Sequence, residues 1–145
     1  MCSFGFDGAD MTVQEDIEKT LRDFHSAKKV IGLTCISPII AAKVFGPNAV
    51  KLTLGGRGES FPYEGAIDAA SSFGAEMKEM DVNGVCTDWK NHIITTPSYM
   101  QGDASPHQIY DGIQIFLKRV ESLSRQQEAA NKKAEETVEP AVHPA

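Results

Sequence analysis

Hydrophobic positions along this chain of 145 residues change period several times, and each change marks an element. Val13, Ile17, Leu21 and Phe24 recur at helical spacing, which predicts a helix with one buried face. Glu15, Asp16, Glu18 and Lys19 form its solvated face. Thr12-Val13-Gln14-Glu15 reads as a capping box, with Thr12 as cap and Glu15 reaching back. Residues 1 to 11 read as a loop, with Gly5 and Gly8 set among aromatic and acidic residues. His25, near the end of the helix, reads as a favourable C-terminal cation or a surface residue rather than a base.

The pattern then changes. Val30 to Thr34 is a continuous apolar run, typical of a strand covered on both faces. Pro38 suits the first turn of a following helix, and Gly46-Pro47 a helix stop. Cys35 therefore falls on a tight strand-to-helix turn, beside unpaired backbone amides and the positive end of a helix dipole. Such a place stabilises a thiolate and a developing oxyanion. A nucleophile and a buried cysteine acting as a small hydrophobe both fit this spacing.

Ala49 to Leu54 has mixed strand character, and Gly55-Gly56-Arg57-Gly58-Glu59-Ser60 reads as a flexible loop. Its glycines are no phosphate cradle, since no Lys-Ser/Thr pair follows. Arg57 is a candidate contact for an anionic substrate group. A helix is predicted near residues 64 to 73, with Ala66, Ile67, Ala70 and Phe73 inward and Glu64 at its positive end. Residues 82 to 97 read as a β-hairpin. Val85 to Asp88 and His92 to Thr96 flank a tight loop at Trp89-Lys90-Asn91, with Cys86 structural and His92 exposed. The Tyr99 to Asp103 loop follows at a strand's C-terminal end, the side where open α/β sheets bind ligands. Ser105 caps a last helix with Pro106 in its first turn. Ile109, Ile113, Phe116, Val120 and Leu123 give that helix its buried stripe. Beyond Arg125 apolar residues nearly vanish, so residues 125–145 read as a polar, disordered tail after a brief helical extension.

Composition narrows the function classes. Net charge is −6, and Lys and Arg are scattered, so no basic field attracts nucleic acid. No apolar run approaches the ~20 residues a membrane helix needs. The first ten residues resemble neither a signal peptide nor an Arg-rich transit peptide. Cys2, Cys35 and Cys86 suggest a reducing compartment rather than a disulfide scaffold. No His/Cys cluster has zinc-ligand spacing, so neither a metal nor a cofactor is expected.

Four stretches carry a family resemblance: Asp23-Phe24-His25 with Lys28-Lys29; Gly32 to Pro38 with Ala41-Ala42-Lys43-Val44; Phe61-Pro62-Tyr63; and Thr87-Asp88 to Asn91 followed by Thr95 to Met100. Asp111-Gly112-Ile113 adds to them. In this order and spacing the chain, from about Phe4 to Leu123, resembles the C-terminal half of the ElbB/ES branch of the DJ/PfpI superfamily of class I glutamine-amidotransferase-like domains. The resemblance implies a flavodoxin-like α/β fold: a mostly parallel sheet with helices on both faces, here incomplete, with the hairpin added. Residues 1–124 would then be a partial domain of this kind. It also implies that Cys35 is the elbow nucleophile, with the Ile36 amide as oxyanion donor.

The chain departs from the family pattern in three places. Relatives often supply a Glu to the elbow cysteine from a first strand, and a Pro-Gly-Gly loop at the oxyanion site. Both fall upstream of Met1, so the expectation is a truncated isoform, a fragment or a partial gene model. A His found after the second strand in many relatives gives way to Gly55-Gly56.

The resemblance points to a cofactor-independent glyoxalase III-like or deglycase-like enzyme acting on a small reactive aldehyde. The alternative is a catalytically silent or redox-sensing domain whose Cys35 oxidises without turnover. True glutamine amidotransfer is disfavoured, because no Cys-His-Glu order is visible. The resemblance implies mitochondria in animals, with the cytoplasm as alternative. A homodimer through an exposed sheet edge is the expected assembly.

Overall fold

In the computed structural model, which describes residues 1–138, five strands and five helices form a mixed α/β domain. Strand β1 (Ile31–Thr34) pairs in parallel with β5 (Ile93–Thr96), and β4 (Cys86–Asp88) pairs antiparallel with β5. The sheet order is β1-β5-β4. A separate parallel pair, β2 (Lys51–Leu52) and β3 (Glu76–Met77), adjoins it through side-chain bonds. Lys51 N donates to Asp88 Oδ2 at 2.8 Å, and Thr53 N to Thr95 Oγ1 at 3.0 Å.

Helices cover both faces of the three-stranded sheet, and the strand period of two assigns residues to them. On one face Ile31 and Ile93 join the main core with α3 (Pro38–Phe45) and α4 (Gly65–Ser72). On the other, Ile94 packs on Phe116 and Leu123 of α5 (Pro106–Val138), with Val30 and Val120 beside them. Gly32 belongs to this second face, where a Cβ would meet the Phe116 ring. The flavodoxin-like expectation holds: parallel strands, helices on both faces, and a hairpin with Cys86 opposite Thr95. At the far end of α3 and α4, two glycines let the chain ends touch. A Cβ at Gly46 would collide with the Phe73 carbonyl, and one at Gly74 with the carbonyl of Gly46.

Several details differ from the sequence reading. Residues 1 to 11 are not a plain loop: α1 (Phe4–Asp7) and a 3-10 turn (Gly8–Asp10) precede Met11, which is fully buried. Thr12 does not cap α2 (Glu15–Ser26). It is tied instead to Ser3, whose amide donates to the Thr12 carbonyl and whose hydroxyl accepts the Thr12 amide. The buried face of α2 is only half covered, with Phe24 42% exposed. Within β1 only Ile31 is fully buried, so the strand is not sealed on both faces. His92 is half-buried rather than exposed. Helix α5 continues to Val138, well beyond the brief extension expected after residue 125, while residues 139–145 of that tail lie outside the described residues. No helix among the described residues is long and apolar enough to cross a membrane.

The cap of α5 forms as its sequence predicts. Gln108 N donates to Ser105 Oγ at 3.2 Å, and Ser105 N to Gln108 Oε1 at 2.8 Å, a reciprocal capping box with Gln at its fourth position.

Candidate active site at the strand ends

Thr34 closes β1, and the chain turns at Cys35 into α3. The turn is sharp because Cys35 adopts φ +58°, a left-handed conformation rare for a residue with a Cβ. Strain of this kind persists only where surrounding contacts over-determine it. Here the Cys35 amide donates to the Thr96 carbonyl of β5 at 3.2 Å. Two residues on, the Ser37 hydroxyl accepts the Thr34 amide at 3.0 Å and donates to the Thr34 carbonyl at 2.7 Å. Pro38 then occupies the first turn of α3. The side chain of Cys35 is half-buried against the main core. The Ile36 amide has no acceptor among the described residues, and Ile36 is 39% exposed. A thiol on an elbow beside a free amide can attack a carbonyl carbon and receive the oxygen's developing charge.

The same end of the sheet carries a second left-handed residue. Ser98, two positions after the Thr96 carbonyl that accepts the Cys35 amide, has φ +47°. It is 4% exposed, and its hydroxyl lacks a hydrogen-bond partner among the described residues. Its sequence context, Pro97-Ser98 after a strand, gives no sign of this. Nearby, the loop after β2 folds against the loop after β5. Phe61 lies on Gly55 and Gly56, and Gly102 N donates to Ser60 O at 2.7 Å. Ser60 and Gln101 both donate to Asp103, which lowers its carboxyl from the ordinary range.

Arg57 sits on this loop but turns to α4. It pairs with Asp68 at 2.6 Å, and that bond holds the Asp68 carboxyl below its ordinary range. Its guanidinium is therefore engaged with a carboxylate of its own chain rather than joined to the elbow.

The remaining polar cluster lies at the opposite end of the strands. Asp88, buried at the hairpin turn, accepts from Lys51 N, Lys90 N, Asn91 N and Asn91 Nδ2 at 2.8 to 3.1 Å. Burial works to raise its pKa, but these bonds outweigh it and the net direction is down. The spacing Asp88-Trp89-Lys90-Asn91 is the readable signal for this, an acidic side chain capping its own turn. His25 Nε2 meets Asn91 Oδ1 at 3.0 Å, with its ring against Phe45 at 4.6 Å. Burial, helped by the nearby charges of His25 and Lys28, pushes the His92 imidazole down. His25 and His92 thus serve the end of β5 opposite Cys35. Cys86 lies in β4, 4% exposed, and burial pushes its thiol up. Among the described residues no group of three His, Cys, Asp or Glu is placed to hold a metal ion.

Comparison with known proteins yields relatives of about twice this length. The chain is similar to the mitochondrial ES1 protein homolog of Rattus norvegicus, 38% identical over 127 residues, or 86% of this chain and 47% of that protein. It is 36% identical to the human mitochondrial glutamine amidotransferase-like class 1 domain-containing protein 3, over 86% of this chain and 46% of that one. It is 35% identical to the mitochondrial ES1 protein of Danio rerio, over 83% and 46%. The chain spans about half the length of these curated relatives. No family model matches it. Among solved structures, an isoprenoid biosynthesis protein with an amidotransferase-like domain from Ehrlichia chaffeensis superposes with a TM-score of 0.67 at 24% identity. That match covers 83% of this chain and 52% of the other, and shows a shared fold.

Proposed function

As the chain belongs to the ElbB/ES branch of the DJ/PfpI superfamily, with its amidotransferase-like domain, we propose that it acts on a small reactive aldehyde through Cys35. One observation carries this reading: the strand-end cysteine with φ +58°, beside the unengaged Ile36 amide. The thiolate adds to the aldehyde carbon, forming the S–C bond of a hemithioacetal, and the carbonyl oxygen takes the charge and then a proton. With a 2-oxoaldehyde, a base removes the proton from that carbon and an acid returns it to the neighbouring one, giving a thioester. Water then hydrolyses the thioester to a 2-hydroxy acid and frees the thiol. The sequence of steps consumes one water and requires no redox cofactor. The Ile36 amide is assigned to the oxyanion, and Arg57 to substrate contact only if it leaves Asp68.

The test is lactate formation from methylglyoxal by the purified chain and by Cys35→Ser. Lactate that depends on Cys35 supports the reading, and equal lactate from both proteins overturns it. A second reading has its own observation. His25 and His92 both lie at the wrong end of the sheet to move a proton at Cys35. A silent, redox-sensing domain needs no such base. In that case peroxide converts Cys35 to sulfenic acid, trapped by dimedone, and methylglyoxal yields no lactate.

The same proposal includes a mitochondrial setting, supported by the names of three relatives. It also includes a homodimer through the open edge of β1. The Ile31 and Cys35 amides donate to β5, so the intervening Gly32 and Thr34 turn their backbone groups away from it.

A further inference from the structure

We propose that the Ser98 hydroxyl is a positioning residue of the elbow, donating its hydrogen bond to the negative charge that develops at Cys35. The inference rests on the reading of Cys35 as a nucleophile and adds a residue that no resemblance assigns.

Three observations bring the two residues together. The first is register: Thr34 lies beside Thr96 in paired parallel strands, and the Cys35 amide donates to the Thr96 carbonyl. Cys35 and Ser98 are thus the next side chains but one around a single strand-end hydrogen bond. The second is backbone conformation. Both residues adopt left-handed φ, +58° and +47°, with a side chain in place of the glycine that would relieve it. Strain matched across neighbouring strand ends fits a retained function better than a chance turn. The third is polarity. Ser98 Oγ is the sole buried side-chain polar atom without a partner among the described residues. Its neighbours are served: Thr95 Oγ1 accepts Thr53 N, and Thr96 Oγ1 donates to Gly84 O.

A buried hydroxyl without a partner is costly, and an alanine of similar shape would remove the cost. The resting thiol is a weak acceptor. A thiolate is a strong one, so ionisation creates the acceptor the hydroxyl lacks. A donor already in place before the charge appears needs no rearrangement when it does. The hydroxyl keeps its proton throughout; Ser98 orients and stabilises but exchanges nothing.

The experiment follows iodoacetamide alkylation of Cys35 against pH in the whole chain, read by peptide mass spectrometry, with no aldehyde present. It compares wild type with Ser98→Ala and Ser98→Gly, the latter also relieving the left-handed strain. Thr96→Val is the structural control, since it removes a buried hydroxyl that has a partner. The expected result is a rise of roughly one pH unit in the alkylation midpoint of both Ser98 variants, about tenfold slower labelling near neutrality. Thr96→Val should keep the wild-type midpoint. An unchanged midpoint in either folded Ser98 variant overturns the proposal. So does an equal shift in Thr96→Val, which would mark a general loosening. Loss of the fold in both Ser98 variants also overturns it, by showing that the hydroxyl is a structural partner. Because no substrate is used, this outcome is independent of whether methylglyoxal is turned over.

Discussion

Ser37 holds Thr34 by both backbone groups: its hydroxyl accepts the Thr34 amide at 3.0 Å and donates to the Thr34 carbonyl at 2.7 Å. One side chain therefore does two jobs. It fixes the turn that presents Cys35, and it occupies the last backbone pair on the open edge of β1.

Ser37→Ala should expose both effects. The lost bonds cost about 1–2 kcal/mol, equivalent to a fall in thermal midpoint of about 3–6 °C. The freed Thr34 groups lengthen the open edge, so light scattering should show a larger dimer fraction than in wild type. A variant with lower stability but unchanged association would place the dimer contact elsewhere.

The three thiols should differ in reactivity. Cys35 is half-buried on a helix-start turn, whereas Cys86 is buried and its thiol is pushed up. Limiting iodoacetamide at neutral pH should label Cys35 at least tenfold faster than Cys86. Cys2 is left out of the comparison because a residue beside the chain terminus reacts whatever its surroundings. Equal labelling of Cys35 and Cys86 would remove the distinction between elbow and core thiol.

Asp88→Asn should destabilise the protein in a pH-dependent way. The folded carboxyl is shifted down, so it binds its proton less readily than in the unfolded chain. Its stabilisation is complete above the unfolded pKa, about 4, and is lost as pH falls through the lower folded value. At pH 7 the variant should lose about 2–3 kcal/mol, because an amide nitrogen would face a backbone or Asn91 donor. In urea titrations the gap between wild type and variant should narrow towards pH 3. A gap independent of pH would mean that shape, not charge, matters there.

Deleting residues 127–145 should change the thermal midpoint by no more than about 2 °C. The described part of this stretch is helical yet mostly exposed, and the bond it makes to the domain body runs from Asn131 Nδ2 to Ala27 O at 3.3 Å and Lys28 O at 3.5 Å. Calorimetry of the shortened chain decides the matter. A larger fall would make the distal helix a structural element.

The sequence announces those elements whose signal is local. The elbow is legible because a strand-like run, a cysteine and an N-terminal proline stand in order from Val30 to Pro38. The hairpin and the Ser105 cap are legible for the same reason: their partners lie within a few residues. What stayed hidden depends on distant partners. Thr12 looks like a cap until Ser3 takes its amide. Arg57 looks free until α4 brings Asp68 to it. Strand β3 is two residues long and exists because β2 lies beside it. Ser98 is ordinary in sequence, and its missing partner is a property of three-dimensional surroundings alone.

Helix α3 joins a chemical end to a packed end. Cys35 stands just before it, and Gly46, just after it, meets Phe73 and Gly74 with no room for a Cβ. Inserting one residue would turn the far end by about 100° and shift it by about 1.5 Å. The elbow could then keep its bond to Thr96, or the glycines could keep their seam, but not both. Side chains along α3 are free to vary in kind, while their number is fixed. Insertions and deletions across homologues should therefore cluster outside the interval from Cys35 to Gly46, which works as a ruler between the thiol and the fold.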